Sequence, residues 1–355
     1  NELREEAEGY LIEGSSTNSL LNSQDLEGTG WTPPDGSGSS ALLLSSNNLA
    51  PDGTLTASLL EDTDATLARY IRQVVTVTSS LTESSSVHVK QGTSDVCGLR
   101  CSFSGGGGIT RFQGVDFSFI TKTFSGSVSG IKLSYDELAG GWFRIIMAIT
   151  SEIENNTIDF RAYPSSVTDS SATGQSFMWG CQVEALPFAT SYIPTTVSPV
   201  TRSADNVSFE FAGNMILDVY SVSVEVSVLD VAEIGIGTNT RKTINQVDGS
   251  ANHRSFLDTD SSRYVSIAGS DGIDTINIVD SQQGVSLVTV RNGDFLEVAS
   301  DGVFSGTPDL SVTNIPSTLT TINVGSHGLS SQYLYGHIRN LRIYDFALTQ
   351  EEVEL

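Results

Sequence analysis

Short runs of alternating apolar and polar residues, broken by Gly, Asn, Asp and Ser, recur along the whole chain. Val74-Val75-Thr76-Val77-Thr78 and Val87-His88-Val89-Lys90 are two of them. Val222-Ser223-Val224-Glu225-Val226-Ser227-Val228 alternates without a fault, which predicts a strand that buries its valine face. Ile322-Asn323-Val324-Gly325 and His337-Ile338-Arg339-Asn340-Leu341-Arg342-Ile343-Tyr344 repeat the pattern toward the end. Helical spacing is confined to the first few residues, to Asp64–Arg69 and to the last turn, Thr349–Glu354. Many strands with turn residues between them and no intervening helices predict an all-β chain of antiparallel sheets packed as sandwiches.

A length of 355 residues fits two such domains better than one. A boundary is expected near residues 196–208, because Thr195-Thr196-Val197-Ser198-Pro199-Val200-Thr201 reads as an extended polar connection. All three tryptophans (Trp31, Trp142, Trp179) and all three cysteines (Cys97, Cys101, Cys181) precede it, a shift that fits two separate cores. The expected architecture is two antiparallel β-sandwich, jelly-roll domains in tandem: residues 1–205, with 1–13 as a lead-in, and residues 206–355. The glycine-rich stretch Ser102–Gly108 is followed by strand-like Ile109–Phe112, not by the Lys and Ser or Thr of a phosphate loop, and so reads as a hairpin connection.

Composition narrows the partners. Acidic residues number 42 against 18 basic ones, a formal net charge of −24, and no basic run exists. That excludes nucleic acid, whose phosphates need clustered Lys and Arg, and disfavours anionic membrane surfaces. No apolar stretch approaches the roughly 20 residues of a membrane span, so no membrane insertion is expected. Asn1–Glu6 has no signal-peptide character, and the lack of an initiator Met points to a segment upstream. Three cysteines make neither a disulfide framework nor a zinc site; Cys97 and Cys101 either pair across a tight loop or stay reduced.

Two resemblances sharpen the picture. Gly9-Tyr10-Leu11-Ile12-Glu13-Gly14, Thr17–Leu26, Trp31, the turn Ala50-Pro51-Asp52-Gly53-Thr54 and the strand Gly141-Trp142-Phe143-Arg144 follow one another in order. They lead to Trp179-Gly180-Cys181-Gln182-Val183-Glu184, Phe188–Thr195 and Thr201-Arg202. This series, roughly residues 9 to 205, resembles a carbohydrate-binding-module-like jelly roll common in bacteriophage tail-fibre and other structural proteins. Cys181 departs from it where a small alanine is usual, and the insertion around Gly105 is this chain's own. Leu334–Thr349, closed by Glu351 and Glu352, resembles the terminal strand of concanavalin A-like lectin and laminin-G domains, with Ile338, Leu341 and Ile343 entering the core. Thr349 with Glu352 three residues on fits a capping box for the closing turn.

Catalytic patterns are weak. Sandwich glycanases present paired carboxylates at alternate positions of one strand. Glu152-Ile153-Glu154 and Asp258-Thr259-Asp260 have the spacing but read as turn and Ser-rich loop. The histidines (His88, His253, His327, His337) are scattered, and no Gly-x-Ser-x-Gly elbow sits between strand and helix. No enzymatic activity is expected. For sugar binding, which needs an aromatic platform beside polar groups, Trp31 is the most loop-like tryptophan; a lid or core role competes for it. Asp258, Asp260, Arg263 and Tyr264 gather carboxylates, an arginine and a tyrosine in one turn, against the plainer alternative of a solvated hairpin. Both resembled families often hold structural calcium, and Asp25, Asp35 and Asp52 are the candidate ligands, with Asp258 and Asp260 in the second domain.

The resemblances together imply a non-catalytic tail-fibre or surface-appendage protein, on a virion surface or otherwise extracellular. Its partners would be a host-surface glycan or polysaccharide and other virion proteins, and it would form a homo-oligomer, a trimer by resemblance. A virion spacer without a sugar site, or an accessory module of a secreted polysaccharide-degrading enzyme, are the alternatives.

Overall fold

The computed structural model describes residues 4–6, 8–32, 40–78, 81–108, 110–127, 130–151, 154–216, 218–228, 241–247, 254–259, 263–268, 272–277, 285–310, 319–326 and 333–353, with backbone alone for the strands between 228 and 285. Among these residues the strand pairings are antiparallel, and helix is limited to a 3-10 turn at Ala139–Gly141 and the closing turn Gln350–Val353. Asp64–Arg69, with its helical spacing, forms no helix: the Asp64 carboxylate accepts from Thr66 N and Leu67 N and holds the segment as a turn.

The chain divides into two compact units. One is Ser16–Arg202. Its six-stranded sheet runs Lys132–Leu138, Trp142–Thr150, Thr82–Gln91, Gly174–Glu184, Leu55–Asp62, Leu42–Leu49. Its five-stranded sheet runs Phe124–Gly126, Arg111–Ser118, Val96–Ser104, Thr157–Tyr163, Ile71–Thr76. Alternation decides which side chains meet in the buried core: Val87, Val89, Ile145 and Met147 come from the first sheet, Leu99, Phe103, Phe117 and Phe160 from the second. Cys97 and Cys101 both belong to this core and lie in one strand, four residues apart. Extended chain separates such positions by about 13 Å, far beyond disulfide reach, so the expected alternative of a pair is corrected: all three cysteines are free and buried. Burial pushes the Cys101 thiol up to about 12 and those of Cys97 and Cys181 up as well.

The other unit joins Asn1–Ser15 to Ser203–Leu355. The lead-in was expected to belong with the first domain; it is instead a strand pair of the second, because Tyr10, Leu11 and Ile12 pair with Ile338, His337 and Gly336, and Ile12 is buried with Val222, Val224 and Leu287. Arg4 adds ion pairs to Glu13 and Asp205 at 2.8 and 2.7 Å. The seven-stranded sheet runs Arg4–Glu6, Gly9–Ile12, Gly336–Tyr344, Val219–Val228, Val285–Asn292, Phe295–Ser300, Val303–Phe304. The six-stranded sheet runs Val207–Glu210, Thr321–Val324, Arg241–Val247, Arg254–Thr259, Arg263–Ala268, Gly272–Asn277. Ile338, Leu341 and Ile343 all pack on this core although the first step is three residues long. Asn340, at φ +53°, sits where the pairing register shifts, and this bulge returns the alternation to the core face. In the closing turn, Thr349 N and Oγ1 both donate to Glu352 Oε2 at 2.8 Å, one arm of the expected capping box.

Candidate functional site

The sequence candidates fare unequally. Trp31 is a core residue rather than a platform: it is 7% exposed, its ring meets Phe160 edge-on at 6.0 Å, and its Nε1 donates to the Asn22 carbonyl. A sugar cannot stack on a ring whose faces are already packed. Asp25 and Asp52 are exposed and serve their own turns, Asp25 accepting from Glu27 N and Asp52 from Thr54 N and Oγ1. Neither belongs to a group of three ligating side chains; among the described residues that grouping is Glu6, Glu8 and His337, with His337 Nε2 2.8 Å from Glu6 Oε2. The turn geometry therefore does not fit Asp25 and Asp52 to one shared calcium. Asp35 and Asp260 lie outside the described residues. Asp258 is the last residue but one in a strand of a hairpin, opposite Val265, and Arg263 and Tyr264 begin the next, Tyr264 opposite Thr259.

The most specific motif of the sequence, Trp179–Glu184 with Phe188–Thr195, builds architecture. Glu184 is fully buried and accepts from Ser16 Oγ at 2.6 Å, from Thr190 N at 2.9 Å and from Thr190 Oγ1. Gln182 Oε1 accepts from Ile193 N, and Arg144 Nη1 donates to the Thr190 carbonyl, both at 2.7 Å. Asn18 Nδ2 donates to the carbonyls of Cys181 and Ile193. A strap, residues 188–195, is thereby fastened over the outer face of the six-stranded sheet. Trp142 and Trp179 are buried in a satellite cluster with Ala50 and Ala57, distinct from the main core. His88 lies under the strap against Trp179 and Tyr192; burial, then the Arg144 charge, lowers its pKa to about 3, so it is neutral at ordinary pH.

The outer face of the five-stranded sheet is different. Arg161 stands directly opposite Arg72 on one side and Arg100 on the other. Neighbouring strands are about 4.8 Å apart, so three guanidiniums share a row where like charges directly opposite destabilise the pairing. One carboxylate lies between two of them: Asp159 accepts from Arg72 Nε at 2.8 Å and from Arg161 Nη2 at 2.6 Å. Burial opposes the Arg161 charge, but the hydrogen bond and charge of Asp159 outweigh it and hold its pKa up. Arg100 lies instead over the Phe112 ring, 4.8 Å from its centroid, and its buried Nε has no hydrogen-bond partner. Arg161 packs on Tyr70 at 4.6 Å, and Tyr70 on Tyr163 at 5.1 Å.

The next row reads Val74, Asp159, Ser102, Phe112. Ser102 is 9% exposed and its hydroxyl also lacks a partner, whereas Phe112 is 58% exposed and the Arg72 side chain 41%. At the opposite end Asp116 is occupied by Ser166 Oγ, Val167 N and Thr168 Oγ1. Gly98 makes that cover possible, since a Cβ there would stand 2.9 Å from Val167 Cβ. What remains open is a cationic strip edged by an exposed aromatic ring, able to hold an anionic group and stack an apolar ring face. Sequence reasoning missed it. Its only local signal is an arginine between inward-facing residues in each strand: Ile71-Arg72-Gln73, Leu99-Arg100-Cys101, Phe160-Arg161-Ala162.

No protein-family model and no curated protein sequence matches the chain. Solved structures resemble parts of it. Trypanosoma rangeli sialidase in complex with the inhibitor DANA is 12% identical, covering 39% of this chain and 22% of its own, with a TM-score of 0.33. Domain 4 of AbnA, an extracellular arabinanase from Geobacillus stearothermophilus in complex with arabinotriose, is 19% identical over 44% of this chain and 76% of its own, with a TM-score of 0.32. The heptameric SAP-like pentraxin of Limulus polyphemus is 15% identical over 39% and 69%, with a TM-score of 0.31. The chain thus spans 22% of the sialidase's length, and similarity at this level bears on neither ligand nor activity.

Proposed function

We propose that this chain is a non-catalytic carbohydrate-binding protein that holds a surface glycan on the outer face of the five-stranded sheet. The observation that carries the reading is the row Arg72, Arg161, Arg100 edged by exposed Phe112. Cations directly opposite one another cost stability, so their retention on an open face fits a use in binding. A pyranose offers an apolar face to Phe112 and polar substituents to the guanidiniums. The jelly-roll motif supports placement on a viral tail fibre or comparable appendage, in trimers or other assemblies where many weak sites give avidity.

A glycan array probed with the full chain is expected to show binding that Phe112→Ala weakens about tenfold, a loss of roughly 1.4 kcal/mol. A blank array, or a Phe112→Ala variant that binds as the parent does, overturns the site. A spacer role without sugar is the second reading, favoured by the strap motif, whose residues are spent on architecture.

A further inference from the structure

The arginine face also specifies the chemical class of its ligand. We infer that it binds glycans whose sugars carry carboxylates, uronic or ulosonic acids, through Arg100 and Arg161 with Ser102 beside them; this rests on the reading of the face as a glycan site. Three independent observations converge on it. The row holds three guanidiniums and one carboxylate between two of them, leaving cationic charge uncompensated at the Arg100 side. Two polar groups there have no acceptor or donor: Arg100 Nε, and the hydroxyl of Ser102, more than nine-tenths buried. Neither atom is open to solvent, so a carboxylate accepts instead from the outer Nη donors of the Arg100 guanidinium, whose forked geometry it matches. Finally, Phe112 fixes the Arg100 plane from one side and remains 58% exposed, so a ring attached to that carboxylate can lie on it.

The repetition of the arginines favours a polymer over a single acidic sugar. Their strands stand about 4.8 Å apart, so a polyuronate held at Arg100 can bring a further carboxylate to the same row. Asp159 tempers this at the Arg72 end and Asp116 at the covered end, which places the ligand's first contact at Arg100.

The test uses the full chain and three soluble probes by calorimetry: polygalacturonate, the same polymer methyl-esterified, and dextran sulfate. Polygalacturonate is expected to bind at least tenfold more tightly than its ester or dextran sulfate. Arg100→Gln should lose that preference tenfold or more. Arg100→Gln should melt no lower than the parent, because it relieves a like-charge pair; a purely structural Arg100 would lose melting temperature and leave binding unchanged. Equal binding of polygalacturonate and its ester overturns the carboxylate assignment and leaves the glycan reading standing. Equal binding of dextran sulfate reduces the face to an unspecific anion surface and overturns the assignment as well. No binding of any probe, together with a blank glycan array, sinks both.

Discussion

Two buried titratable residues pull the stability of the Ser16–Arg202 unit in opposite directions. Glu83 is 2% exposed, its Oε1 has no partner, and burial followed by the charge of Glu184 raises its pKa from 4.5 to about 7. A raised acid is held protonated by the fold, so its contribution is fully present below pH 4.5 and is lost as the pH rises through about 7. His88 is the mirror case: its pKa is lowered, so its contribution is present above pH 6.5 and is lost as the pH falls toward 3. Glu83→Gln keeps the shape and removes the charge. It should be more stable than the parent by roughly 3 kcal/mol at pH 8 and differ little at pH 4. Urea unfolding at the two pH values measures this, and equal differences at both would refute the assignment. At this same scale the sequence was least informative. Arg72, Arg100 and Arg161 are far apart along the chain, and only the sheet's register makes them neighbours. Trp31 misled for a related reason: glycine and proline around a tryptophan describe a loop backbone and say nothing of which way the ring turns.

Among the elements, alternation served well wherever one face was fully buried. Val219–Val228 contains the faultless valine run, and its Val222, Val224 and Val226 are core residues. Thr82–Gln91 and Gly336–Tyr344 likewise enclose the runs read from the sequence. What alternation cannot supply is partnership. Gly9–Ile12 looks the same whether it pairs with its neighbours in sequence or, as it does, with Gly336–Tyr344. The strap over the six-stranded sheet was visible as a motif, yet its purpose required hydrogen-bond partners to recognise. Glu184→Ala would strand the Thr190 N–H and the hydroxyls of Thr190 and Ser16 in a buried site. A loss of about 2–4 kcal/mol in the unfolding free energy of that unit is expected. A melting curve unchanged by the substitution would show that the strap is not held by Glu184.

For the whole molecule, the net charge of −24 and the cationic strip act over different distances. Most of the acidic excess lies outside Ser16–Arg202, and that unit too holds more Asp and Glu than Lys and Arg. An acidic polymer approaching such a protein is repelled at long range and attracted only at contact. Screening shortens the repulsion first, since the Debye length falls from about 30 Å at 0.01 M salt to about 10 Å at 0.1 M and 3 Å at 1 M. Polygalacturonate affinity should therefore rise between 0.01 and 0.1 M monovalent salt and fall again toward 1 M. A steady decline from the lowest salt would mean that the overall charge does not govern approach. On the proposed reading, the net charge thus also sets the medium in which an acidic glycan would be captured.

The pairing of Gly9–Ile12 with Gly336–Tyr344 has a consequence for the making of the protein. Gly9–Ile12 leaves the ribosome long before Gly336–Tyr344, the strand beside it, has been made. Ser16–Arg202 carries all of its own sheets within one continuous stretch and needs nothing synthesised later. The order of assembly during translation is therefore written into the connectivity: the sandwich of Ser16–Arg202 first, and the other only once Gly336–Tyr344 has been made.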